Sequence, residues 1–403
     1  MARRAVFFMG VLSLSFGLLR AQTALRADFN GDGVVTFDDF FLFAEGFGAR
    51  QGEARFSAKF DLDGKGSVDL EDFFLFAADF GKMASSGPSR TPGWASIAAT
   101  SAGPPGRFDH TLTLDPTRNR LVVFGGRAPS SLGDTWVFDL EGRSWREVKV
   151  SPSPPARHGH TAIYDAPRGR VVIFCGQSSA GFFNDVWAFD LGREVWQELA
   201  AAGDRPTVRY GSSAVFDAPR NRMVISHGFT SQGRFDDTWA FDLGRNAWTD
   251  LTPASGPRPL KRCLHEAVYD AGGDRMLLFG GCASGFGPCP LGDLWAFDLR
   301  TNVWTELRPS GAAPGARTNP ALAYDPAVRR ALLIGGSAAE GLTNDTWTFD
   351  AAGGAWAKLT FEGSIPAPRY SHDAVVDSTN ARVLLFGGHS TKGFSDELWE
   401  LKF

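Results

Sequence analysis

Residues 106–148 read GRFDHTLTLDPTRNRLVVFGGRAPSSLGDTWVFDLEGRSWREV, and the fold follows from this stretch. Four short runs, HTLTLD, RLVVF, TWVFD and SWREV, alternate with turns built on Gly, Pro, Asn and Asp, the pattern of four consecutive strands. The pattern returns along the chain. Trp136, Trp187, Trp239, Trp295, Trp347 and Trp399 follow one another at steps of 51, 52, 56, 52 and 52 residues. A second set, Trp94, Trp145, Trp196, Trp248, Trp304 and Trp356, steps by 51, 51, 52, 56 and 52. Together these are all 12 tryptophans of the 403-residue chain. A period near 50 residues signals a repeat architecture. The last copy stops at its third run, DELWELKF (396–403), while WASIAA (94–99) is a fourth run with no predecessor. Joining the two yields six complete units and a ring without exposed sheet edges.

The glycine pair of the unit stands at Gly125-Gly126, Gly280-Gly281, Gly335-Gly336 and Gly387-Gly388, and becomes Cys175-Gly176 and His227-Gly228 elsewhere. With the tryptophan pairs and an arginine before each first run, residues 92–403 resemble the kelch-repeat family. The resemblance implies a mainly β fold: a six-bladed kelch β-propeller closed by its N-terminal strand. Strand alternation puts the second-to-third connections on one face, and they vary in sequence: RAPSSLG (127–133), QSSAGFFN (177–184), FTSQGRFD (229–236), CASGFGPCPLG (282–292), SAAEGLTN (337–344) and HSTKGFS (389–395). Variable loops on a rigid scaffold are where binding residues collect. The first strands start from the same face. Arg107, Arg157, Arg209, Arg262, Arg317 and Arg369 precede them, with His110, His160, His265 and His372 three residues after four of these arginines. These residues are candidates for the channel mouth, where they would meet an anion or a metal. Their recurrence favours a structural role, bonding the backbones of adjacent blades.

Residues 28–39, DFNGDGVVTFDD, place Asp28, Asn30, Asp32, Val34, Thr36 and Asp39 at the ligand positions of a calcium loop, with Gly33 at the sharp turn. Residues 61–72, DLDGKGSVDLED, repeat it with Asp61, Asp63, Ser67, Asp69 and Asp72. Lys65 takes a ligand position there; an ammonium has no lone pair and repels the ion, so this loop should be weaker or empty. Phe37, Phe40, Phe41, Ala44 and Phe47 after the first loop match Leu70, Phe73, Phe74, Ala77 and Phe80 after the second, at spacings that predict one apolar helix face each. Loop then helix, twice, resembles a dockerin (an EF-hand type module) over residues 26–82. That resemblance implies a small α domain, bound Ca²⁺ and a cohesin-like or cell-surface partner. Loop positions 10 and 11 hold Phe37-Asp38 and Leu70-Glu71, not the small hydroxyl residues through which dockerins often dock.

Arg3 and Arg4 followed by an apolar run from Ala5 to Leu19 have the layout of a secretory signal peptide, expected over residues 1–21, and the run is short for a membrane span. Export would make the protein extracellular, cell-surface or periplasmic and would permit disulfides. Of 4 cysteines, Cys282 and Cys289 bracket a loop suited to a local bridge, Cys263 is the alternative partner, and Cys175 lies in the apolar run VVIFCG. Residues 83–91 are small, polar and Pro/Gly-containing, as a linker is. The net charge of −4 hides a calcium module carrying 12 acids against 5 bases beside an almost neutral repeat region. No basic surface of the kind nucleic acid demands is present. No G-x-S-x-G, H-E-x-x-H or phosphate-loop motif occurs, and no second apolar stretch of spanning length. The expectation is an exported, non-catalytic binding protein whose propeller takes protein or glycan. The alternative is a carbohydrate-active or sialate-mutarotase-like kelch enzyme. Perturbed titratable groups at the channel mouth would favour the enzyme, and an aromatic groove among the loops would favour binding.

Overall fold

The computed structural model describes residues 26–30, 35–82, 92–201 and 203–403. The expected signal peptide, the linker, and the loop positions Asp32 and Val34 lie outside these residues. The chain divides into two compact units, Met1–Arg90 and Thr91–Phe403.

In the first unit, helix α1 (Phe37–Gly46) and helix α2 (Leu70–Asp79) each follow an acidic loop. Asp69 caps α2 and forms a capping box with Asp72, satisfying backbone donors at the helix start. The core is aromatic: the Phe43 and Phe76 rings stack 5.7 Å apart, and the edge of Phe29 meets Phe60 at 5.0 Å. The apolar face differs from that drawn by sequence spacing. Phe43 and Phe76 are buried, whereas Phe37, Phe41, Leu70 and Phe74 are each at least 60% exposed. The inward positions are 39, 40 and 43 on α1 and 72, 73 and 76 on α2; of the expected stripe only Phe40 and Phe73 turn inward, and Phe47 and Phe80 are exposed. The two halves interlock through backbone: Val35 pairs with Gly81 and Lys82, and Val68 with Gly48 and Ala49.

The second unit is a β-propeller of six antiparallel blades among the described residues. Blade 1 comprises Thr111–Asp115, Arg120–Phe124, Thr135–Asp139 and Ser144–Val148, in spatial as in chain order. Its second strand is buried along its whole length, which is why RLVVF and its counterparts read as unbroken apolar runs. Blade 6 has a different origin. Asp373–Asp377, Arg382–Phe386 and Leu398–Lys402 are completed by Gly93–Ser96 from the far end of the unit, with Trp94 opposite Leu401 and Ser96 opposite Trp399.

The two tryptophan sets do different work. Fourth-strand tryptophans fill the seams between blades: Trp196 packs 5.0 Å from Phe189 of its own blade and 4.8 Å from Phe124 of the preceding one. Trp145 makes the same bridge to Phe386 of blade 6, at 5.1 Å. Third-strand tryptophans donate their indole N–H to the acid two residues earlier, as Trp136 does to Asp134 at 2.7 Å. On the turn side, Arg170, Arg222 and Arg275 donate to Leu243, Leu299 and Ala351 carbonyls of the next blade.

Candidate functional site

The candidate site is assembled where the first strands begin. Two residues after each arginine the backbone turns left-handed: Asp109, Gly159, Gly211, Leu264, Asn319 and Ser371 all have φ between 48° and 65°. Each of these residues donates its N–H to the carbonyl of the equivalent residue in the preceding blade. The chain of bonds runs from Asp109 to Ser371, Asn319, Leu264, Gly211, Gly159 and back to Asp109, at 2.8–3.0 Å. Six backbone hydrogen bonds thus encircle the channel. One position needs glycine for space: a Cβ on Gly159 would stand 2.0 Å from the Tyr210 ring.

The six arginines do not face the channel. All are buried, and each forms the same network within its own blade. Arg107 donates to both oxygens of Asp134 at 2.7 and 2.8 Å, to Gly125 O at 2.8 Å and to Pro105 O at 3.1 Å. Arg157, Arg209, Arg262 and Arg317 repeat this with Asp185, Asp237, Asp293 and Asp345, and Arg369 uses Glu397. Asp134 is held below its ordinary range: burial opposes this, and the Arg107 guanidinium together with the Trp136 N–H outweighs burial. The link to the neighbouring blade is made by the arginine backbone instead, since Gly126 N donates to Arg157 O at 2.9 Å. These buried guanidinium groups are therefore committed before any ligand arrives.

The histidines are buried in the seams between blades. His110 packs edge-on to Phe386 at 5.3 Å and His160 to Phe124 at 5.2 Å. Burial drives the imidazoles of His265 and His372 down to about 3 and those of His110 and His160 well below their usual value, helped by the adjacent arginines. They are neutral packing groups at physiological pH.

His110, His160, His265 and His372, expected at the channel mouth, do line the channel, a cavity of about 570 Å³, and sequence reasoning passed over the carboxyl groups that line it with them. Asp109, Glu266 and Asp373 reach into it from blades 1, 4 and 6. Burial pushes Glu266 well above the carboxylate range, reinforced by the charges of Asp373 and Asp109. Burial raises Asp373 to about 6 against hydrogen bonds from Leu112 N and Ala374 N. Asp109 rises for the same reason, opposed by Ser371, by Tyr210, whose hydroxyl donates to it at 3.3 Å, and by Arg127. The available signal was positional: where blades 1 and 2 carry Thr111 and Thr161, blades 4 and 6 carry Glu266 and Asp373.

Outside the ring, the second-to-third connections form short hairpins, among them Gln177–Ser178 with Gly181–Phe182, Phe229–Thr230 with Gly233–Arg234, and His389–Ser390 with Gly393–Phe394. Phe108, Tyr370, His389 and Phe394 form an aromatic cluster there: Phe108 stacks on Phe394 at 5.5 Å and meets His389 at 5.6 Å. Phe394 is 41% exposed, and Arg127 nearby is exposed too. The blade 4 loop is closed by a Cys282–Cys289 disulfide; Cys263 and Cys175 are free and buried.

In the first unit, Asp39 is fully buried and accepts from Phe29 N, Asn30 N and Thr36 N at 2.7, 3.1 and 2.9 Å. Asp61, Asp63 and Asp72 bring carboxylate oxygens within 4.8 Å of one another, the one such cluster of His, Cys, Asp or Glu among the described residues. Asp63 Oδ2 is buried without a hydrogen bond, which suits a cation, but the Lys65 ammonium already stands 3.0 Å from it and also pairs with Glu71. Ser67 Oγ donates to Asp69 rather than into the cluster.

Residues 88–270 and 250–403 match the KLHDC2/KLHL20/DRC7 Kelch-repeats domain. Adagio protein 3 of Arabidopsis thaliana is 33% identical over 305 residues, covering 70% of this chain and 48% of that protein. Adagio-like protein 3 of Oryza sativa subsp. japonica is 32% identical over 303 residues, 70% of this chain and 47% of that one. Kelch domain-containing protein 3 of Homo sapiens is 28% identical over 231 residues, 54% of this chain and 58% of that one. The chain thus spans about half the length of these curated relatives.

Proposed function

This chain belongs to the kelch-repeat family, and from that premise we propose that it is a binding protein whose propeller takes a protein partner on the face formed by its second-to-third loops. The observation that carries this reading is the half-buried aromatic cluster of Phe108, Tyr370, His389 and the exposed Phe394, gathered around the His389–Ser390/Gly393–Phe394 hairpin outside the backbone ring. Aromatic anchors beside a cation such as Arg127 suit a peptide or protein surface. Probing the full chain on peptide and glycan arrays tests this: peptide binding is expected, and binding to glycans alone would replace the reading with a lectin-like one.

A second reading is favoured by one observation, the raised carboxyls of Glu266 and Asp373 in the channel. A protonated carboxyl is what a general acid needs, so a carbohydrate-active enzyme using the channel stays open. Glu266→Gln would then abolish turnover of a glycan substrate while leaving peptide binding intact.

The proposal extends to the first unit. Its two loops resemble a dockerin's; bound Ca²⁺ would stabilise the unit, and the protein would be exported and tethered through this unit to a cohesin-like or cell-surface protein. Asp39, anchored by three amides, is the best-supported ligand of the first loop, with Asp28, Asn30 and Thr36 beside it. In the second loop the Lys65 ammonium competes with the ion for Asp63. Lys65→Asn should therefore strengthen Ca²⁺ binding there by about tenfold, ~1.4 kcal/mol, and raise the number of ions bound per chain. Calorimetric titration of the full chain reads both. An unchanged isotherm would show that Lys65 does not govern the loop.

A further inference from the structure

We propose that Cys263, Cys282 and Cys289 form a thiol–disulfide exchange centre on the loop face, in which Cys263 displaces Cys289 from Cys282. The proposal concerns the regulation of the binding face and rests on that reading for its consequence, though not for its chemistry.

Backbone pairing brings the thiol to the bridge. Cys263 and Cys282 are directly opposite each other, exchanging both hydrogen bonds: Cys263 N to Cys282 O at 3.2 Å and Cys282 N to Cys263 O at 2.9 Å. Residues paired in this way lie about 5.5 Å apart at Cα, within the span of roughly 4.4–6.8 Å that a disulfide tolerates. Their side chains emerge on the same side of the pair.

One guanidinium serves both sulfurs. Arg234 donates Nε–H to Cys282 O at 3.0 Å and Nη2–H to Cys282 Sγ at 3.5 Å. The same group acts on Cys263: burial pushes that thiol up, and the charge of Arg234 and a hydrogen bond from it oppose the rise. A cation beside a buried thiol favours the thiolate, which is the attacking species. Cys282 is 5% exposed and held in place, while Cys289 is exposed and free to depart.

The step balances internally. The Cys263 thiolate attacks Cys282 Sγ, and the Cys263–Cys282 bond forms as the Cys282–Cys289 bond breaks. The electron pair leaves on Cys289 Sγ, which takes up the proton that Cys263 lost. Nothing is oxidised or reduced overall, so no outside oxidant enters. The product is a cross-strand bridge and a loop, CASGFGPC, no longer closed on itself. That loop carries the exposed Phe286 under Lys261, so exchange would free an aromatic anchor of the binding face. Cys175 stays outside the centre; burial holds its thiol at about 11.

The test is a time course of the native full chain in iodoacetamide at mildly alkaline pH, with disulfides mapped by mass spectrometry without reduction. Alkylation drains the exchanged form, so the expected product is alkylated Cys289 together with a Cys263–Cys282 linked peptide. Cys263→Ser should leave the Cys282–Cys289 bridge intact and Cys289 unlabelled. Persistence of the Cys282–Cys289 bridge in the wild-type chain, with or without labelling of Cys263, overturns the proposal. The map needs no partner, so it stands apart from the array result that tests the binding reading.

Discussion

Deleting residues 92–99 should destabilise the propeller by about 4 kcal/mol or more, a loss set chiefly by one buried tryptophan. Trp94 is 7% exposed, packed with Leu401, Val383 and Leu385, and its strand supplies four residue pairs to Leu398–Lys402. Without it the outer edge of blade 6 is bare, and the seam against blade 5 loses its tryptophan. The expected readout is a melting temperature lower by about 10 °C and a tendency to associate through the open edge. Trp94→Ala should retain the strand and lose only the packing part. A deletion that melts like the full chain would mean that the pairing of the two ends does not hold the ring.

Arg209→Ala should cost about 3–5 kcal/mol, because it leaves Asp237 partly buried without its partner. Arg209 is fully buried, donates to both Asp237 oxygens at 2.6 and 2.8 Å, and also satisfies His227 O and Thr207 O. Arg209→Lys should recover little, since an ammonium cannot span both oxygens and two carbonyls in one plane. Arg308→Ala, at a highly exposed pair with Glu306, should change stability by no more than about 0.5 kcal/mol. Chemical denaturation of the three variants checks the ordering. Similar losses for Arg209→Ala and Arg308→Ala would contradict the structural role given to the ring of arginines.

These arginines show how far the sequence could be read. Strand content and repeat were legible because the blade writes its second strand as an unbroken apolar run and places a tryptophan on each outer strand, so packing is visible as period. The period could not show what each repeated residue touches. Arg107 and Trp136 converge on Asp134 across 27 and 2 residues, a meeting that exists only after the blade is folded. The channel carboxyls were hidden for the opposite reason. Glu266 and Asp373 break the repeat, and a search for recurrence passes over exceptions. The helices of the first unit show a third case. Phenylalanine is so dense in FDDFFLFAEG and LEDFFLFAAD that several apolar rows can be drawn, and only packing against Phe29 and Phe60 selects Phe43 and Phe76.

The claim that function sits on the second-to-third loop face is tested most directly by hydrogen-exchange footprinting of the full chain with and without an array-selected peptide. The account predicts protection in residues 127–133, 177–184, 229–236, 282–292, 337–344 and 389–395, with the turns at 116–119, 166–169 and 218–221 unchanged. Protection confined to those turns, or to the channel-lining strands around Glu266 and Asp373, would contradict it.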